Sequence, residues 1–204
     1  RNYRHFVWVG DVLLIFDDIR THEPGQLEWL LHYEGTMQRS ASDLILSNDE
    51  AQVTVRPLFP PDLRVVEKEG LKDHDPDKKV TYLALAPEGT LREAKFVVAI
   101  TPGREGDSPQ IEPLTANNAL GVRLRDDKTI TDVWLNLMAD GRRMHRNSNN
   151  LIDGWDTDAY LLALTRPADS ISSDPDSLTR CFVACGSYLR KADKVTLHSL
   201  LKVN

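Results

Sequence analysis

Apolar side chains in this chain recur at every second position, in short runs, along almost its whole length. That period belongs to strands, whose side chains point alternately to two faces, and no stretch keeps a helical period long enough to build a helix. Turn chemistry separates the runs: Gly10-Asp11, Pro24-Gly25, Pro60-Pro61, Pro102-Gly103, Asp140-Gly141 and Asp153-Gly154. The pattern predicts strands over Arg4–Val9, Val12–Ile19, Gln26–Tyr33, Asp43–Ser47, Gln52–Leu58, Leu63–Lys68, Val80–Ala86, Ala94–Ile100, Gly121–Arg125, Thr129–Leu137, Ala159–Thr165, Thr179–Leu189 and Lys194–Leu200. Between them, Gly70–Lys79 and Arg166–Asp176 read as exposed polar loops. Many short strands with regular turns specify an all-β fold, a large, supersandwich-like antiparallel β-sandwich of about a dozen or more strands. At 204 residues the expectation is a single such domain over 1–204.

The first hairpin carries the most detail. With Gly10-Asp11 as a two-residue turn, Val9 faces Val12, Trp8 faces Leu13, Phe6 faces Ile15 and Arg4 faces Asp17. One face then holds Val7, Val9, Val12 and Leu14, and the other Phe6, Trp8, Leu13 and Ile15. A sheet with one wet face should alternate apolar and polar residues, so this hairpin is expected to be covered on both sides. A chain that enters such a strand directly from Arg1 reads as part of a longer protein, with any targeting signal upstream.

Charge and cysteine content exclude several classes. A net charge of -6 opposes a general nucleic-acid binder, which needs a broad basic surface. No apolar run approaches a membrane span. Cys181 and Cys185, four apart in one extended strand, would lie roughly 13 Å from each other. That is too far for a disulfide, so two free buried thiols are expected. Neither a P-loop, a GxGxxG string nor a GxSxG elbow occurs, and no cofactor is implied.

The segment RHFVWVGDVLLIFDDIRTHEPGQLEWLLH resembles a recurring piece of heparinase II/III-like polysaccharide lyases. The matching parts are the hydrophobic strand Val12–Phe16 closing on Asp17 and Asp18, the loop Ile19–Gly25, and the string Trp29-Leu30-Leu31-His32. Tyr82–Leu85 and Lys95–Pro102 resemble a later strand pair of the same sandwich. The resemblance covers roughly the first half of the chain. It implies a parent enzyme in which an upstream α/α toroid packs against the C-terminal β-sandwich portion. It also implies an anionic, uronate-containing polysaccharide substrate cleaved by β-elimination, and a secreted or periplasmic location. In such chemistry a base removes a proton beside the carboxylate and an acid protonates the leaving oxygen. The family's catalytic residues and metal ligands precede the matched region, so none is carried over to a position here.

Several polar groups deserve a structural check. His32 with Asp17 or Asp18 would make an acid–base pair or a metal half-site, against a plain structural hydrogen bond. His5, His22 and His32 would be a three-histidine zinc site only if the fold gathered them. The string Asp140–Asn150 holds Arg142, Arg143, His145 and Arg146, and guanidinium groups suit carboxylate or sulfate. These four, with Trp155 as a sugar-stacking ring, are the candidate substrate-binding residues; the competing readings are a solvated hairpin tip and a core tryptophan. Asp156 and Asp158 would share a strand face roughly 7 Å apart, near glycosidase spacing, although such pairs more often form a solvated edge. The function expected is therefore a lyase sandwich module, inactive alone. The alternatives are a freestanding carbohydrate-binding module, with Trp155 and Tyr160 as its platform, and a purely structural domain.

Overall fold

The computed structural model describes residues 1–72, 75–103, 109–140, 148–170, 175–192 and 194–198. The chain is all-β and antiparallel, with eighteen strands in four sheets among the described residues. It divides into two compact units, Arg1–Ser108 and Pro109–Asn204. Each unit builds its own pair of sheets.

The first unit holds β1 (Asn2–Val9), β2 (Val12–Gly25), β3 (Trp29–His32), β4 (Thr36–Ser40), β5 (Asp43–Ser47), β6 (Gln52–Phe59), β7 (Arg64–Lys72), β8 (Asp75–Ala86) and β9 (Leu91–Pro102). One sheet has the order β1-β2-β9-β6-β5-β4 and the other β3-β8-β7. Ile15, Val55, Phe96 and Val98 from the larger sheet meet Trp29, Leu83 and Leu85 from the smaller in one core. Burying each such side chain contributes about 1.5–3 kcal/mol.

The first hairpin has the register its turn dictates, including Val9↔Val12, Trp8↔Leu13, Phe6↔Ile15 and Arg4↔Asp17. Gly10 supplies the left-handed residue of the turn at φ 55. Coverage on both sides holds for β2, where Leu14 and Phe16 are 0 % exposed on one face and Ile15 5 % on the other. It does not hold for β1, an edge strand on which Phe6 is 63 % and Trp8 71 % exposed.

The second unit holds β10 (Gln110–Ala116), β11 (Ala119–Arg125), β12 (Thr129–Asn136), β13 (Asn150–Ile152), β14 (Trp155–Thr157), β15 (Leu161–Pro167), β16 (Arg180–Ala184), β17 (Tyr188–Lys191) and β18 (Lys194–His198). Its sheets run β10-β11-β12-β15-β16 and β13-β14-β17-β18. Trp134, Leu162 and Leu164 of the first pack with Ile152, Trp155 and Leu189 of the second.

Four departures from the sequence pattern have physical causes. β4 (TMQRS) is a polar edge strand with no apolar alternation to reveal it. β10 carries Pro113, which marks it as an edge. The charged stretch read as the loop Gly70–Lys79 is largely strand, because β7 runs to Lys72 and β8 starts at Asp75. The long strand expected over Thr179–Leu189 breaks in two after Ala184. There Cys185 takes φ 49, and a Cβ on Gly186 would stand 2.5 Å from the Ala159 Cα, so the chain must turn where only glycine fits.

Candidate functional site

β2 ends its apolar run on two buried acids, and the register brings a cation to each. Arg4, opposite Asp17, donates from Nε to Oδ1 at 2.8 Å and from a terminal nitrogen to Oδ2 at 2.6 Å. The carboxylate holds the Arg4 guanidinium above its ordinary pKa, chiefly through that hydrogen bond. Asp18 is gripped by Arg1 and by Lys95, its register partner on β9. Such bidentate, charge-assisted pairs fix geometry.

His32 is not beside these acids. β3 pairs with β8 in the smaller sheet, and the His32 ring lies 5.2 Å from that of Tyr82. The acid–base pair expected of His32 with Asp17 or Asp18 therefore does not form, because β2 belongs to the larger sheet and β3 to the smaller. His5, His22 and His32 lie on three strands, and no metal-binding group of three or more residues occurs among the described residues.

His32 instead borders a groove of about 260 Å³ at the end of β3, walled by Leu46, Val55 and Ile100 and rimmed by Tyr33 and Ser47. The Tyr33 hydroxyl donates to Glu67 Oε1 at 2.7 Å. Desolvation, and then the Glu67 carboxylate, push that phenol up to about 12. A phenol so held stays protonated at neutral pH.

In the second unit, Arg142, Arg143, His145 and Arg146 lie outside the described residues. Trp155 is described and is core. It is 2 % exposed, and the Lys191 ammonium sits 4.9 Å from its ring centre. Tyr160 is also 2 % exposed. The sugar platform expected from these two rings is therefore closed: one faces the sandwich interior and the other is buried beside it, where no pyranose can stack.

Asp156 and Asp158 do not act as a pair either. Asp156 accepts from the Tyr188 hydroxyl at 2.8 Å and from Arg190 Nε at 2.6 Å. Asp158 accepts from the Ser187 amide at 2.7 Å and its hydroxyl at 2.6 Å, and so caps the turn into β17. Each carboxylate is spoken for by a separate structural contact. Burial pushes the Cys181 thiol up, Cys185 is exposed rather than buried, and no disulfide joins them.

Two constellations escaped the sequence. Asp132, 2 % exposed, accepts from Arg123 Nε at 2.7 Å and from an Arg166 terminal nitrogen at 2.8 Å. The Arg123↔Asp132 register was legible in the β11–β12 hairpin, but the approach of Arg166 from β15 was not. Asn150, on β13, donates to the Asn136 side chain at 3.0 Å and to the Asn117 carbonyl at 2.9 Å, tying the start of β13 to the end of β12. Compared with protein-family models and with curated proteins, the chain matches none.

Proposed function

We propose that the chain is a β-sandwich module of a heparinase II/III-like polysaccharide lyase, working beside an upstream α/α domain and not catalytic alone. One observation carries this reading. The four strings that resemble the family fall on strands that pair two by two: Leu13–Phe16 with Val97–Ile100 along β2 and β9, and Trp29–His32 with Tyr82–Leu85 along β3 and β8. They supply Ile15, Phe96, Val98, Trp29, Leu83 and Leu85 to one core. The resemblance is thus to a packed sandwich rather than to scattered strings.

On this reading the parent performs β-elimination on an anionic, uronate-containing polysaccharide in a secreted or periplasmic setting. On this reading the catalytic base and acid belong to the parent. Substrate contact is assigned to the Arg142, Arg143, His145 and Arg146 string, whose guanidinium groups match sulfate or carboxylate. Trp155 drops out of that set because it is buried. A freestanding carbohydrate-binding module finds no comparable support, since both rings of its platform are buried.

The test has two parts. Purified chain is mixed with glycosaminoglycans and alginate, and the absorbance of unsaturated uronate is followed; no rise is expected, and turnover by the chain alone refutes the non-catalytic assignment. The coding sequence upstream of Arg1 is then read. A run of paired helices followed by a His-rich strand is expected there, and a different upstream region overturns the lyase assignment.

A further inference from the structure

Edge strands expose a row of unpaired backbone groups, and folded proteins blunt them with proline, charge or brevity. Most described edges here are blunted in that way. β10 has Pro113, β7 carries Glu67, Lys68 and Glu69, and β3, β4, β13 and β16 are short. β1 is different: eight regular residues, no proline, and the exposed side chains of Phe6 and Trp8.

The direction of its backbone groups follows from one pair. Arg1 donates its amino group to the Arg20 carbonyl at 2.5 Å, and the Arg20 amide donates to the Arg1 carbonyl at 2.8 Å. The register then runs unbroken from Asn2↔Ile19 to Val9↔Val12. Hydrogen-bonded and non-bonded pairs alternate in an antiparallel ladder. Tyr3, His5, Val7 and Val9 therefore bond to β2, while Asn2, Arg4, Phe6 and Trp8 aim their N–H and C=O groups outward.

We propose that a second copy of this chain pairs antiparallel with β1 across a two-fold axis at Phe6, joining the two larger sheets into one. The occupant is a second copy because the outward row is self-complementary in that register. Only registers that oppose even-numbered residues satisfy the outward groups on both strands. With Phe6 opposite Phe6, each Arg4 lies opposite the other copy's Trp8. That is a cation–π pair flanking an aromatic pair, with no like charges facing. Arg4 is already held by Asp17 and stands 5.7 Å from the Trp29 ring, so its charge is compensated and its stem is in place. A two-fold contact of this kind is closed and stops at the dimer.

Sedimentation velocity and light scattering on the chain test this across a wide concentration range. A dimer is expected. Phe6→Pro removes an outward N–H and leaves the β1–β2 ladder whole, and Trp8→Lys removes the ring; each should halve the mass while the circular dichroism stays that of the folded parent, and the concentration dependence of the melting temperature should disappear. If the proline variant unfolds, the Trp8→Lys variant alone decides. In a Cys181→Ser/Cys185→Ser background, Phe6→Cys should cross-link to itself on oxidation, because bonded partners stand about 5.5 Å apart at Cα, whereas His5→Cys should not. A monomeric chain, or a dimer indifferent to both Phe6 and Trp8 substitution, overturns the proposal. So does a monomer whose Trp8 fluorescence responds to uronate oligosaccharides, which would make the stripe a sugar platform.

Discussion

Replacing Asp132 by leucine takes the carboxylate from between two guanidinium groups whose access to water differs. Arg123 has a side chain 27 % exposed and can turn to solvent, but that of Arg166 is 5 % exposed and cannot. Its Nε is already buried without a hydrogen-bond partner. Removing one partner of a buried ion pair costs about 3–5 kcal/mol, because the other is left as an uncompensated buried charge. Arg166→Met should cost less, about 1.5–3 kcal/mol for one charge-assisted hydrogen bond, since Asp132 keeps both bonds from Arg123. In the double variant the buried pair becomes apolar, a change that is often neutral or stabilising by about 1–4 kcal/mol. Asp132→Leu/Arg166→Met should therefore be at least about 2 kcal/mol more stable than Asp132→Leu alone. For a unit of this size each kcal/mol moves the melting temperature by about 4–8 °C, so the single leucine variant should melt at least about 12 °C lower. Calorimetry reads the melting point, and hydrogen exchange of peptides spanning β12 and β15 assigns the loss to the second unit. The reasoning fails if Asp132→Leu stays within about 1 kcal/mol of the parent, or if the double variant is no better than the single.

Three further outcomes are expected. Trp155→Ala should destabilise the second unit by about 3–5 kcal/mol, the usual result of emptying a large aromatic site; denaturant titration would show this, and an unchanged midpoint would mean that the ring is not core. His5 has its pKa lowered below 6.5, first by desolvation and against the pull of Asp18 and Asp17. Its folded form thus binds fewer protons than its unfolded form, so the stability it contributes is present above pH 6.5 and lost as pH falls through the folded value. A His5→Gln variant should flatten that part of the stability–pH curve, and an identical slope in both proteins would refute the assignment. In an ultraviolet titration Tyr33 should ionise near pH 12, and Glu67→Gln should bring it only part of the way to 10.0, because desolvation is the larger cause.

The local pattern contained much of the fold. The two-residue Gly10-Asp11 turn defines the complete β1–β2 register, because in a tight hairpin the loop length fixes which residues stand opposite each other. β5 coincides with its expected bounds, since the short apolar run Leu44-Ile45-Leu46 is bracketed by Asp43 and Ser47. β4 and β10 were hidden, because polar edge strands are held by a neighbour's backbone and leave little mark in their own side chains.

Sites fared differently, and for one reason. Period and turn chemistry act over a few residues, so sequence alone decided the all-β class, most strand positions and the pairing of Arg4 with Asp17. Which sheet a strand joins is decided by contacts between residues far apart in the chain. Only the tertiary structure could separate His32 from Asp17 and Asp18, bury Trp155 and Tyr160, bring Arg166 to Asp132, and leave Phe6 and Trp8 exposed on an open edge.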